Sequence, residues 1–357
     1  MTATDSNRSP ASEAPQVGPP RVSAVVLAYR AEPWFEKCVH ALLGSRDVKV
    51  DVVVVDNGCT DGAVDRLRDV AGVTVVGEGE NLGFSAGCNL GASIATGQYL
   101  ALVNGDLVVE PDALRHLVCV AREPDVGIAA GSVRLGDAPD RLNTAGNEIH
   151  FLGFSWVGGF GELAAERAIA RDVAGAMGAL LMLRRSVWDR LDGFAPEYFA
   201  FHEDAELSWR CWQGGLRVHY VPDAIGLHRY EFARVSNKLY LAERNRLIFV
   251  LTCWEARSLL VLAPAFLGAE LAVIAASVSG GWFGAKLRGW RWLWTHRRWL
   301  QQRRHVVQAE RTVSDRRLAH LMTDHLDARN YPLPPVLRPF DDFLAWYWRV
   351  ARRFLAR

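Results

Sequence analysis

Hydrophobic residues come in short runs separated by stretches of a different period. Arg21 to Tyr29 contains Val22, Ala24, Val25, Val26 and Leu27, a β-branched run that predicts a strand buried on both faces. After Pro33 the period changes: Trp34, Cys38 and Leu42 recur at helical spacing as far as Leu43. Val50 to Val55 and Val73 to Val76 predict two more strands, with an amphipathic helix over Gly62 to Val70 between them. Another helix precedes a strand over Tyr99 to Val103, and Glu110-Pro111-Asp112 opens a helix carrying Leu114, Leu117 and Val118. Strands alternating with helices predict an α/β fold, a parallel sheet covered on both faces.

Beyond about Glu243 the pattern becomes rich in Trp and Leu, then basic, then rich in Pro at Pro332, Pro334, Pro335 and Pro339. This predicts a leader over 1–20, an α/β domain over 21–245, a helical region over 246–330 and a tail over 331–357 with a short amphipathic helix. The leader, rich in Pro, Ser and Ala without a hydrophobic run, is expected to be disordered and not a secretory signal.

The chain has 357 residues, half of them hydrophobic, which is enough for one large core or two modest ones. A formal net charge of +1 gives no overall field that would favour nucleic acid. It conceals a basic stretch from Lys286 to Arg317 in which Glu310 and Asp315 are the acids. Six scattered cysteines without a C-x-x-C pair argue against a zinc site or a disulfide framework and for a reducing compartment.

In parallel sheets ligands bind beyond the carboxyl ends of the strands. The first strand is followed by Ala28-Tyr29-Arg30, the second by Asp56-Asn57-Gly58-Cys59-Thr60-Asp61-Gly62, and the one ending at Val103 by Asn104-Gly105-Asp106. Asp56 in a glycine turn can accept a hydrogen bond from a base or a ribose; equally, Asp56 and Asp61 can cap the turn and the next helix. Asn81-Leu82-Gly83-Phe84, with Gly87 and Asn89, suits a loop lying against a nucleotide, yet has neither G-x-G-x-x-G spacing nor a Walker lysine. Asp106 can hold Mg²⁺ or Mn²⁺ with diphosphate oxygens as further ligands, and His228 can complete that site or be structural. His202-Glu203-Asp204-Ala205-Glu206 begins an amphipathic helix ending at Gly214-Gly215. Acids in a first turn also suit the helix dipole, but an acidic cluster between aromatic residues fits a general base in a partly dry pocket.

Together these segments resemble the family 2 glycosyltransferases, especially bacterial rhamnosyltransferase-like enzymes, over roughly Val22 to Arg246. The resemblance implies a GT-A nucleotide-diphospho-sugar transferase fold with a mostly parallel Rossmann-like sheet, a divalent metal, and inversion by direct displacement. It implies donor contacts by Ala28, Tyr29, Asp56, Asn81, Gly83, Phe84, Asn89, Asn104 and Gly105, metal binding by Asp106 and His228, and Asp204 as base with Glu203 second. A helix N-terminus lowers the pKa of Asp204 while burial raises it, and the sequence leaves the outcome open. Asn104-Gly105-Asp106 has one carboxylate where the family often has two or three, and Ala195-Pro196-Glu197 follows Gly193-Phe194 in place of Asp-Glu. Lack of a Q-x-x-R-W motif favours single additions over processive synthesis.

Leu259 to Phe283 is apolar apart from Glu270 and, if helical, about 38 Å long, enough for the roughly 30 Å hydrocarbon core. With Trp282, Trp290, Trp292, Trp294 and Trp299 among the arginines, an in-plane or re-entrant anchor on the cytoplasmic side of the plasma membrane is expected, against a buried helical hairpin with a solvated basic face. The expected partners are a nucleotide-diphospho-sugar donor, dTDP-rhamnose or a UDP-sugar, and a lipid-linked or cell-surface glycan acceptor. A catalytically inactive nucleotide-sugar-binding scaffold is the alternative. A nucleotidylyltransferase would want a glycine-rich basic loop where this chain has Ala28-Tyr29-Arg30.

Overall fold

The computed structural model describes residues 18–230, 237–327, 329 and 338–355. Most of the expected leader, and Pro332, Pro334 and Pro335 of the tail, lie outside those residues. Strands β1 (Arg21–Arg30), β2 (Lys49–Cys59), β3 (Val73–Val76) and β4 (Tyr99–Asn104) run parallel and alternate with helices α1 (Phe35–Leu43), α2 (Ala63–Leu67) and α3 (Gly83–Ile94). Then follow β5 (Leu107–Val109), α4 (Ala113–Ala121), β6 (Val126–Leu135), β7 (Ala138–Thr144), β8 (Asn147–His150), β9 (Ser155–Val157), β10 (Arg171–Asp172) and β11 (Leu180–Arg184). Helices α5 (Arg185–Arg190) and α6 (Glu203–Gln213) lead to β12 (Arg217–His228).

The large sheet has the order β10-β12-β6-β11-β4-β1-β2-β3. It is parallel over β4-β1-β2-β3 and between β6 and β12, but β11 enters antiparallel to both β4 and β6. Period-two alternation divides its side chains between two cores. Val22, Ala24, Val26, Val52 and Val54 pack with Phe35, Leu42, Leu114 and Leu117. Val25, Val53, Val55, Leu100 and Leu102 face Cys88, Ala92, Phe194, Leu207 and Trp209.

The C-terminal elements are α7 (Lys238–Cys253), α8 (Ala256–Ser279), α9 (Phe283–Thr295), α10 (Arg297–Ala309), α11 (Asp315–Leu318), β13 (Met322–Thr323) and α12 (Arg338–Ala351). The boundary expected at residue 245 falls inside α7, and the second core continues into Leu262, Ala265, Ala269, Val307, Leu344 and Trp348. Strand β13 joins β8 and β9 in a small separate sheet.

Buried charges tie these helices together. Lys286 Nζ lies 2.6 Å from Glu243 and 2.8 Å from Glu270, and Arg246 pairs with the same two acids. Glu206 of α6, fully buried, accepts hydrogen bonds from Arg210 Nε at 2.8 Å and Arg303 Nε at 3.1 Å, which fastens α10 to the α/β domain. Burial alone would raise Glu206; the two guanidinium groups outweigh it and hold its pKa below the usual glutamate value. Part of the basic stretch is therefore internal, and Trp292 and Trp299 are half-buried against Ala195, Tyr198 and Ile248. Acids and aromatics distant in sequence draw these groups inward, while Trp294, Arg291, Arg297 and Arg298 stay exposed.

Candidate active site

The turn after β2 is shaped by its own side chains. Asp56 Oδ1 accepts from the Gly58 and Cys59 amides at 3.3 and 3.1 Å. Asp61 Oδ1 accepts from the Ala63 amide, and Oδ2 from the Glu32 amide, both at 3.1 Å. Burial pushes Asp61 up, but these bonds, one from the Cys59 thiol and the Arg66 charge hold it below the usual aspartate value. Buried Asn57 accepts the Leu82 amide at 2.8 Å, and Asn81 Oδ1 accepts the Gly83 amide at 3.0 Å. Gly83 has φ +80°, and a Cβ there would meet the Phe199 carbonyl oxygen at 2.6 Å, so glycine is required where α3 starts. Phe84 packs under Gly178 and against the Phe194 ring.

Asn89 is turned away from this edge: its amide donates to the Phe194 carbonyl at 2.8 Å and accepts the Phe194 amide at 3.0 Å. It fastens α3 to the Gly193-Phe194 turn and is not placed with Asn57, Asn81 and Gly83. Ala28 is buried and Tyr29 exposed at the end of β1. A Cβ on Gly105 would meet the Phe35 ring at 2.6 Å, so that glycine lets β4 turn tightly toward Asp106.

Strand β5 pairs antiparallel with the end of β12, placing Leu107 opposite His228. This brings Asp106 Oδ1 within 3.0 Å of His228 Nε2, while His228 Nδ1 lies 2.9 Å from Asn143 Oδ1. The buried imidazole thus stands between two oxygen acceptors. If Nδ1 donates to Asn143, Nε2 turns a lone pair toward the Asp106 carboxylate, an arrangement that a proton or a cation stabilises. One carboxylate and one imidazole suit Mn²⁺ or Mg²⁺ when substrate phosphate and water supply the other ligands. Among the described residues no group of three or more His, Cys, Asp or Glu side chains forms a fuller site.

Asp204, half-buried in the first turn of α6, has both oxygens engaged. Oδ2 accepts from the Gly178 amide at 3.0 Å and Asn147 Nδ2 at 3.3 Å, and Oδ1 from the Ala205 amide at 2.7 Å. Burial nevertheless lifts its carboxyl above the usual aspartate value, which answers the contest between burial and helix terminus. Glu203, deeper and with Oε2 unpartnered, is pushed further up by burial and by the Asp204 charge. The backbone connects this base candidate to Asp106: next to Gly178, the Ala179 carbonyl accepts the Asn104 amide at 3.0 Å.

The loop before α6 is unusual. Phe199, Phe201 and His202 all have positive φ, of 63°, 71° and 69°. Such backbone costs of order 1–3 kcal/mol per residue and persists only where the surroundings impose it. Here Asn245 Nδ2 lies 2.7–2.9 Å from the carbonyls of Tyr198, Ala200 and Phe201, and Arg244 Nη2 reaches those of Glu197 and Tyr198. Burial pushes the His202 imidazole down to about 4, and its Nε2 lies 3.1 Å from the Gly153 carbonyl. Sequence reasoning missed Asn143, Asn147, Arg244 and Asn245; the Asn143-Thr144-Ala145-Gly146-Asn147 run between strands is the one local signal that could have drawn attention.

Residues 23–191 match the sequence profile of the family described as glycosyl transferase family 2. An uncharacterized glycosyltransferase of Haemophilus influenzae is 25% identical over 117 residues, 32% of this chain and 36% of the relative, so the chain spans about a third of that protein. An N-acetylglucosaminyl-diphospho-decaprenol L-rhamnosyltransferase of Mycobacterium tuberculosis is 26% identical over 232 residues, covering 57% of this chain and 74% of its own. Among solved structures, GalNAc-T7 with UDP, GalNAc and Mn²⁺ aligns with a TM-score of 0.54 at 17% identity, over 66% of this chain and 48% of its own. The mannosyltransferase PcManGT of Pyrobaculum calidifontis, with GDP-Man and Mn²⁺, aligns at 0.50 and 21% identity, over 81% and 86%. These structures share the fold, and residues 23–191, a little under half of the chain, match the glycosyl transferase family 2 profile.

Proposed function

We propose that this protein moves a sugar, rhamnose or a hexose, from a dTDP- or UDP-linked donor to a hydroxyl of a lipid-linked or cell-surface glycan, with inversion. The observation that carries the reading is the Asp204 carboxyl: raised by burial and held by Asn147 and by the amide of Gly178, whose neighbour Ala179 bonds Asn104, two residues before Asp106. A carboxylate of raised pKa is, in its ionised form, a better proton acceptor, and a positioned general base contributes about 10²–10⁴ in rate. Asp204 takes the proton of the acceptor hydroxyl as that oxygen attacks the anomeric carbon. Asp56, Asn81 and the Gly83 turn position the nucleotide, with Asn57 bracing the loop. Asp106 and His228 would hold a divalent cation, which when bound neutralises charge on the departing diphosphate.

The same reading sets the protein on the cytoplasmic face of a membrane. Helix α8 is long and apolar enough to cross a membrane by length and composition. Yet Glu270 at its middle is committed to Arg246 and Lys286, and Leu262, Ala265 and Ala269 to the core. Its exposed Leu260, Leu267, Leu271 and Val278, with Phe343 and Trp346 of α12, support a helix lying along the surface.

Calorimetric titration with UDP, dTDP and GDP, each with and without Mn²⁺, tests the donor site. One nucleotide should bind, more tightly with metal; a folded sample that binds none of them would overturn the transferase reading.

A further inference from the structure

A second polar site lies behind Asn147. A cleft of about 250 Å³ opens between the start of β8, the end of β9, β10 and β13, lined by Asn147, Glu148, Arg167, Arg171, Asp172 and Thr323 among others. Two of its charged residues already have partners. Asp172 accepts from Arg217 Nη1 at 2.9 Å and pairs with His219 Nδ1 at 2.7 Å. Arg167 is bidentate on Glu162, which also takes Arg329 at 3.0 Å.

Two charged groups stand apart from this pairing. The Arg171 guanidinium lies over the Tyr220 ring at 5.9 Å, and among the described residues no carboxylate comes within 4 Å of it. Glu148 takes a hydrogen bond from the Trp156 side chain, and likewise has no cation within 4 Å among the described residues. Burial raises the Glu148 carboxyl and lowers the Arg171 guanidinium, the direction expected of partly desolvated charges without a close countercharge. Of its lining residues, Thr323 and Asn147 have buried oxygens, Oγ1 and Oδ1, that are unpartnered. Asn147 is also the wall shared with the base candidate, since its Nδ2 donates to Asp204 Oδ2 at 3.3 Å.

A donor-only group and a carboxyl lining one cleft, with no direct ion pair between them among the described residues, call for a ligand with many groups that both donate and accept. Hydroxyls do this at every position of a sugar ring; an apolar chain does not. The volume is slightly below the roughly 300–1,000 Å³ of pockets for drug-sized ligands, which suits one small polar ring. We infer that this cleft is a subsite for one sugar residue of the acceptor, adjacent to the residue whose hydroxyl meets Asp204, with Arg171 donating to its oxygens and Glu148 accepting from its hydroxyls. The inference rests on the transferase reading and adds where the acceptor is held. Neither residue touches the donor turns or the Asp106–His228 pair.

The test uses the full chain saturated with whichever nucleotide the titration selects, so that glycosides cannot occupy the donor site. Methyl glucoside, methyl rhamnoside and methyl N-acetylglucosaminide are followed by saturation-transfer NMR. At least one should bind, and its affinity should fall at least tenfold in Arg171→Met, which keeps an apolar stem over Tyr220, and in Glu148→Ala. Nucleotide affinity should stay within twofold in both variants, which also reports that they are folded. Glycoside binding unchanged in both variants, or absent from a protein that binds nucleotide, would overturn the subsite and leave the transferase reading standing. Failure of the wild-type chain to bind nucleotide removes that reading, and the subsite with it, through a separate signal.

Discussion

The turns after β2 and before α3 are shaped from within: Asp56, Asp61, Asn57 and Asn81 bond to amides in the same turns or in the neighbouring loop. The entry to α6 is shaped from outside. Its three left-handed residues are held by Arg244 and Asn245 of α7, Asp204 by Asn147, and Glu206 by Arg303 of α10. A self-bracing turn should lose one ligand contact when a residue changes. An externally braced loop should lose its shape, and with it chemistry, while ligand affinity at the other turns survives.

The sharpest way to separate the two regions is Asp204→Asn. Turnover should fall about 10²–10⁴-fold, read in single-turnover transfer assays, with nucleotide affinity near that of the wild type. Equal turnover would remove Asp204 from the base role. Next is Glu206→Gln, which leaves Arg210 and Arg303 buried without their countercharge and should cost about 3–5 kcal/mol in denaturant unfolding. On the other side of the comparison, Asp56→Ala should weaken nucleotide binding by about 1.5–3 kcal/mol in calorimetry with little change in turnover at saturating donor. The smallest effect expected is that of Asn245→Ala, about 1–3 kcal/mol of stability for the carbonyls left unpaired. Its turnover should drop by more than its nucleotide affinity; an equal drop in both would mean that the two regions are mechanically one.

This difference also decides what could be read in advance. The β1–β4 half was legible because period-two runs and glycine turns are local signals, and so were Asp56, Asn81 and Gly83 as residues of one sheet edge. Asp106 and His228 were legible as residue types; their meeting depends on β5 pairing with β12. Asn89, nearly two helical turns beyond Gly83, is bonded instead to Phe194, a partner the local sequence does not reveal. The antiparallel entry of β11 and the inward arginines depend on partners up to 97 residues away, as in Arg303–Glu206, which no window of sequence exposes.

Strand β4 has one further consequence, for the ribosome. Its outer edge is closed by β11, which begins at Leu180, well after β4 ends at Asn104. At about 5–20 residues per second, the nascent half-sheet waits roughly 4–15 s with a row of apolar β4 residues and unpaired amides on display. A nascent chain stalled between residues 110 and 180 should therefore be the species most prone to capture by chaperones or to joining edge to edge with its neighbours.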